Sequence, residues 1–404
     1  MIVIPPAIAE QFEQFPGSSM YRGSSDQAAP VNGIADKIQM DHVEVTAAQR
    51  HQLISLGAQA AKGSCMKPVY TRREVLASLA VVAVFPRRVL PAAGEKPMRG
   101  VFIIMATPYT AAREVDYEDL ARQVDFLDRC GVQGMVWPQL ASEYTQLTKE
   151  ERMRGMEVLA RAAAGRKPAL VLGVQGSNTE QALEYLKHAE KLGPHAVIAI
   201  PPKEAKSLDN FREYYRSLAG STKRPLFVQT TGGASGINPT VEFLVELARE
   251  FPNCGYIKEE YNPVIDRMKE LAQHRPMIKR IFSGAAGRGM MYEMSLGFDG
   301  TMPGAPYSDV YAKIWKVYQS GQKEKARDVF SQLMLMINLE QQIPGTRQYI
   351  MKKRGVFKTT VSRQHKVELT PEAIGEIEFT FEALRPHLQG YAVETDVPLS
   401  FRPK

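Results

Sequence analysis

The chain has 404 residues, 44% hydrophobic and 24% charged, which is enough apolar material for a large core and excludes a mainly disordered or fibrous protein. The formal net charge of +7 is scattered, and the densest cationic run beyond the N-terminal region is Lys352-Lys353-Arg354; this reads as solvated surface and argues against nucleic-acid binding. Cys65, Cys130 and Cys254 lie far apart without metal-type spacing, so no disulfide framework is implied.

Residues 1–65 mix Pro, Gly, Ser and Gln with no sustained period, and are expected not to pack as a domain. At residue 66 the character changes. A basic start with Arg72-Arg73 precedes an apolar run over 75–85 and the small-residue stretch Pro91-Ala92-Ala93. That order resembles a secretory signal of the twin-arginine type, so 66–97 is expected to be a signal and linker, with Met66 as the start of translation and export to the periplasm. The alternative is an amphipathic surface helix on a cytoplasmic protein, favoured by Arg87-Arg88 after the run. At about eleven residues the run is too short to span a bilayer, so no stable membrane anchor is expected.

From residue 100 a short apolar run, a turn and an amphipathic stretch repeat. The runs cover 101–106, 134–137, 169–174, 196–200, 226–228, 256–257, 280–282 and 298–302. Between them, helical periodicity covers 117–129, 149–164, 179–192, 210–219, 239–250 and 263–273. Eight strand-like runs joined by helices predict parallel strands with right-handed crossovers, covered on both faces. An open doubly wound sheet would place a glycine-rich turn after the first strand, where Thr107-Pro108-Tyr109 stands instead. The prediction is therefore a closed (β/α)8 barrel over 98–308. A last barrel helix and a helical extension follow over 309–390, with helices near 309–319, 322–341, 344–353 and 371–386, and a tail over 391–404.

Reactive groups in such barrels stand at the C-terminal ends of the strands. Those positions include Thr107, the segment 139–143, Gln175, 201–203, 229–231, Lys258, Ser283 and Pro303. Lys258 stands out, because burying an ammonium is costly unless it is paired, and an uncharged lysine amine attacks carbonyl carbons. The competing reading is a structural ion pair with Glu259, Glu260 or Glu143. The seven histidines form no His-Glu-x-x-His pattern, no metal or organic cofactor is called for, and no Gly-x-Ser-x-Gly turn occurs. The glycines from Gly284 to Gly289 read as a tight loop before they read as an anion site.

Several segments occur in order at barrel-compatible spacing: Thr107-Pro108-Tyr109, Ser142-Glu143 with Leu147-Thr148 and Glu151-Arg152, the glycines from Gly232 to Gly236, and Ile257-Lys258-Glu259. Together they resemble the dihydrodipicolinate synthase and N-acetylneuraminate lyase family over roughly residues 100–390. The resemblance implies a class I aldolase-type barrel, commonly a homotetramer or dimer, whose lysine forms a Schiff base with a small 2-oxo acid or sugar acid. On it, Lys258, Glu143, Tyr144 and Tyr109 become catalytic candidates, with Glu260 a further proton carrier. Thr107, Leu140, Ala141, Ser142, Lys203, Gln229, Gly232, Gly233 and Ser283 become substrate-binding candidates.

The sequence departs from the family where substrate would be held. Leu140 and Ala141 stand where the family has hydroxyl residues, Gln229 where it has a proton-relaying tyrosine, Ala234 where the synthase has an arginine, and Lys203 in place of another tyrosine. An amide has no usable pKa for acid–base work. Two readings follow: an active lyase of aldolase or hydro-lyase type with a rearranged pocket, or a catalytically degenerate barrel that binds a sugar acid or has a structural role.

Overall fold

The computed structural model describes residues 96–389. The expectations for residues 1–65, for the signal-like segment up to residue 95 and for the tail 391–404 fall outside the described residues.

Eight strands, β1 (Gly100–Ile104), β2 (Gly134–Trp137), β3 (Ala169–Gly173), β4 (Ala196–Ala199), β5 (Leu226–Gln229), β6 (Tyr256–Glu259), β7 (Arg280–Ser283) and β8 (Gly300–Thr301), pair in chain order. Every pairing is parallel, and β8 returns to β1 through Gly100↔Gly300 and Val101↔Thr301, closing the barrel. Helices α1 (Tyr117–Cys130), α2 (Lys149–Ala163), α3 (Thr179–Leu192), α4 (Leu208–Gly220), α5 (Val241–Glu250), α6 (Val264–Gln273), α7 (Met290–Ser295) and α8 (Ser308–Gln319) follow the strands. The extension adds α9 (Lys323–Gln342), α10 (Thr346–Lys353) and α11 (Pro371–Glu382). The (β/α)8 barrel with C-terminal helices is thus as predicted. One element was not read from the sequence: the six-residue α7, which begins directly after the glycine loop 284–289.

The helices begin where the sequence supplies caps. Asp116, Asn178, Ser207 and Thr240 accept backbone N–H groups of α1, α3, α4 and α5, and Thr148 forms a reciprocal capping box with Glu151 on α2. Gly131 and Gly193 end α1 and α3 in the left-handed conformation that a side chain disfavours.

Strand alternation divides the core in two. Residues such as Ile103, Trp137, Leu172, Val228, Ile257 and Ile281 pack outward against the helices. Phe102, Ile104, Val136, Val171, Ile198, Phe227, Phe282 and Met302 fill the lumen. The rings of Phe102 and Phe282 meet edge-on with centroids 5.0 Å apart, and Phe227 meets Phe282 at 5.4 Å. Small residues opposite make the room. A Cβ on Gly134 would lie 2.3 Å from the Phe102 ring, and one on Gly300 2.4 Å from Phe282. Each such buried ring contributes about 1.5–3 kcal/mol.

The extension is bound to the barrel by buried charge. Arg354, after α10, meets Asp309 of α8 with both side chains fully buried, Nη2 to Oδ2 at 2.6 Å. Arg354 also donates to the Pro306 carbonyl at 2.7 Å and stacks over Phe126 of α1 at 4.7 Å. Further along, Lys358 pairs with Asp116 and Glu118, and Arg363 with Glu151. Cys130 and Cys254 are buried free thiols, and desolvation pushes the Cys254 thiol up to about 12. Among the described residues no helix is long and apolar enough to cross a membrane, and no cluster of three or more His, Cys, Asp or Glu could hold a metal.

Candidate active site

Strands β5, β6 and β7 each run one or two residues past their apolar cores, and these polar ends build the site. On β6, Ile257 packs outward, so parity sends Lys258 into the lumen and Glu259 outward. Lys258 is 3% exposed. Its Nζ donates to Gln229 Oε1 at 3.0 Å, the residue paired with it in register on β5, and meets Glu260 Oε1 at 3.1 Å.

Glu260 is fixed from three sides. Its Oε2 accepts the Thr231 hydroxyl at 2.6 Å, and its backbone N–H donates to Thr230 Oγ1 at 3.0 Å. Its side chain fills the space beside Gly284, where a Cβ would come within 2.1 Å of Glu260 Cγ and Oε1. Gln229 donates its amide N–H to the Thr231 carbonyl at 3.3 Å, which leaves Oε1 turned to the lysine. Of the three carboxylates proposed as partners of Lys258, Glu260 is the one in contact. Glu259 faces away and pairs with Arg267 at 3.1 Å while accepting the Thr230 hydroxyl at 2.6 Å; burial raises its carboxyl pKa.

The other three catalytic candidates are engaged elsewhere. Glu143 has φ 55°, and its Oε2 accepts the backbone N–H groups of Arg363 and Gln364 at 2.9 and 3.1 Å. It therefore anchors the C-terminal segment, while Lys258 pairs with Gln229 and Glu260 instead. Tyr109 is buried beneath the Arg363 guanidinium, 4.8 Å over its ring; desolvation, reinforced by Glu143, drives its phenol far above the usual range and keeps it neutral. Tyr144 lies between Arg152 at 5.7 Å and Lys203 at 5.8 Å, and burial raises its phenol pKa. Tyr144 and Lys203 line a cavity of about 250 Å³ with Arg152, Gln175 and Tyr185; Lys258 is not part of that lining. Lys203 thus faces this cavity together with Tyr144.

The substrate-binding candidates divide into walls and supports. Leu140 opens the 3-10 turn Leu140–Ser142, is 42% exposed and faces Gly232. A Cβ on Gly232, which has φ 89°, would lie 3.2 Å from a Leu140 methyl and 3.0 Å from Ile200, and one on Gly233 would lie 2.6 Å from Pro201. The loops after β2, β4 and β5 therefore meet through apolar contacts. Ala141, next in the turn, is exposed. Thr107 donates to the Ser142 carbonyl and accepts Trp137 Nε1–H at 3.1 Å, and Ser142 donates to the Met105 carbonyl, so both tie the β2 loop to β1. Ser283 is buried and, alternating with Phe282, points outward toward Glu293, whose carboxyl is pushed by burial up to about 7 against an opposing Ser283 hydrogen bond. It is a support and not a lumen residue. Thr231 and Gly284 were missed as individuals: their roles depend on where Glu260 points.

Comparison with known proteins agrees with the barrel fold. Residues 97–383 match the model of the dihydrodipicolinate synthetase family. A 4-hydroxy-tetrahydrodipicolinate synthase from Parabacteroides distasonis is 26% identical over 256 residues, covering 62% of this chain and 85% of the relative. An L-2-keto-3-deoxyarabonate dehydratase from Azospirillum brasilense is 26% identical over 286 residues, covering 69% and 92%. Among solved structures, a dihydrodipicolinate synthase from Rhodopseudomonas palustris superposes with a TM-score of 0.64 at 21% identity, over 71% of this chain and 97% of the other. A prophage protein of the family from E. coli K12, solved in complex with pyruvate, gives 0.65 at 20% identity, over 71% and 98%. At that identity the structures speak for the fold, while the family match spans most of the chain: it belongs to the dihydrodipicolinate synthetase family and is a lyase.

Proposed function

We propose that Lys258 forms a Schiff base with the carbonyl of a small 2-oxo acid or 2-oxo sugar acid, and that the resulting iminium serves carbon–carbon or carbon–oxygen bond cleavage. The observation that carries this reading is the placement of Lys258 Nζ. It is a buried amine at the end of β6, above an apolar lumen, contacted by an amide oxygen and one carboxylate. An iminium draws electrons from the adjacent carbon, which is what aldol cleavage and dehydration both require. The Azospirillum relative, named for a 2-keto-3-deoxy sugar acid, and the pyruvate in the E. coli structure support this substrate class.

The synthase reaction is the less suitable member of that class. Leu140, Ala141, Gln229 and Ala234 replace groups that the resemblance assigns to carboxylate holding and proton relay: three of them are apolar, and the fourth is an amide engaged with Lys258 and the Thr231 carbonyl.

Borohydride reduction with pyruvate and a panel of 2-oxo and sugar acids, followed by intact mass and peptide mapping, tests the proposal. The expected result is an adduct on Lys258 that vanishes in Lys258→Ala. The departures also favour a second reading, a barrel that only binds. Tight binding that leaves no adduct and survives Lys258→Ala would establish that reading instead.

A further inference from the structure

Lyase chemistry through an iminium needs a base at the carbon next to the carbonyl, and Gln229 cannot be one. The groups around Nζ narrow the choice. Tyr109 is held beneath Arg363, Tyr144 lies between Arg152 and Lys203, Glu143 caps the 363–364 backbone, and Glu259 turns outward to Arg267. Glu260 alone among these carries a titratable group to the lysine, at 3.1 Å.

Resting on the Schiff-base reading of Lys258, we infer that Glu260 is the proton-transfer residue of this enzyme, acting at C3 of the bound 2-oxo acid. Once Nζ is bonded to C2, C3 lies about 2.5 Å from that nitrogen, two ordinary bonds away. A carboxylate already 3.1 Å from Nζ is therefore within reach of a C3 proton. The Thr231 hydroxyl, donating to Oε2 at 2.6 Å, fixes the carboxylate by its far oxygen and leaves Oε1 toward the reacting centre. Gly284 gives the side chain its space.

The steps balance with water alone. Glu260 accepts a proton from the lysine ammonium, and the free amine attacks C2. The carbonyl π pair moves to oxygen, which takes that proton to give a carbinolamine. Loss of the hydroxyl with a second proton, as water, leaves the iminium and an ionised Glu260. Glu260 then removes a C3 proton. The C–H pair becomes the C2=C3 bond, and the C=N π pair returns to nitrogen to form the enamine. In the cleavage direction the same residue returns the proton to C3 after the carbon–carbon bond has broken.

Two measurements on the full chain separate this role from that of Lys258: the borohydride adduct with pyruvate, and exchange of the pyruvate methyl protons for deuterium in D2O followed by NMR. Wild type shows both. Glu260→Gln, which keeps the shape of the side chain, forms the adduct more slowly, with solvent taking the lysine proton, while exchange per trapped enzyme falls about 100-fold or more, the scale of a lost general base. Glu260→Asp restores part of the exchange. Glu260→Gln exchanging near the wild-type rate per adduct overturns the inference. If Glu260→Gln forms no adduct, Glu260→Asp decides: about tenfold slower exchange per adduct supports the role, and an unchanged rate refutes it. No adduct in wild type with any 2-oxo acid would instead overturn the reading of Lys258, and this one with it.

Discussion

Replacing Gly284 by Ala should impair proton transfer without replacing the group proposed to perform it. Gly284 has no left-handed φ, so alanine adds no backbone strain. Its methyl would fall 2.1 Å from Glu260 Cγ and Oε1 and 2.3 Å from Cδ. Ordinary contact begins near 3.4 Å, so the carboxyl end must retreat by more than about 1 Å, enough to lose its 3.1 Å contact with Lys258 Nζ or its 2.6 Å bond from Thr231. A displacement of about 1 Å at a reacting group costs on the order of 100-fold in rate. The expected outcome is a protein with near wild-type Tm that still forms the borohydride adduct with pyruvate, while C3 exchange falls about 100-fold. The Gly284→Ala change added to Glu260→Gln should cost little more, since both act through one carboxylate. Wild-type exchange in Gly284→Ala, with its melting curve unchanged, would refute the geometry, because it would mean that Glu260 can move without consequence.

Two further outcomes follow from buried charge. Asp309→Asn leaves the fully buried Arg354 facing an amide, and should destabilise the chain by about 3–5 kcal/mol in urea unfolding followed by tryptophan fluorescence; Asp309→Leu with Arg354→Met should recover most of it, and a single-mutant loss below about 1 kcal/mol would contradict this. Glu293 has its carboxyl raised by burial from 4.5 to about 7, so in that window the folded chain keeps a proton that the unfolded chain has released, and stability falls as pH rises through it. The cost is on the order of 3 kcal/mol above pH 7. Glu293→Gln should therefore flatten the Tm difference between pH 5 and pH 8, and an unchanged difference would exclude Glu293 as its source.

Much of this was legible in the sequence, and the parts that were not share a cause. The eight apolar runs gave the barrel, because strands covered on both faces must be apolar throughout. Their polar ends were cut short in the reading, at Gln229, Lys258, Glu259 and Ser283, because hydrophobicity stops where the site starts. Parity could have recovered more. Lys258 and Glu260 are two residues apart and share a face if the strand direction continues, whereas Glu259 must face away. Glu143 could not be settled that way, since its partner is the backbone at 363–364, some 220 residues on. The resemblance pointed to Glu143, Tyr144 and Tyr109 because they stand in the β1 and β2 loops. What ties them up is the C-terminal segment and the Arg152–Lys203 recess, contacts between distant parts of the chain that no local pattern announces.

The floor of aromatic rings has a bearing on traffic. Phe102, Phe227 and Phe282 fill the barrel beneath Lys258, and Leu140 and Ile200 close on Gly232 in the loops beyond the strand ends. With the lumen below filled by rings, a ligand of Lys258 would enter and leave from the loop side. On the Schiff-base reading, a fragment tethered to the lysine would lie below one that is free. The order of departure after a cleavage would then be set by the walls: the untethered piece first, and the tethered piece only after water has followed it in.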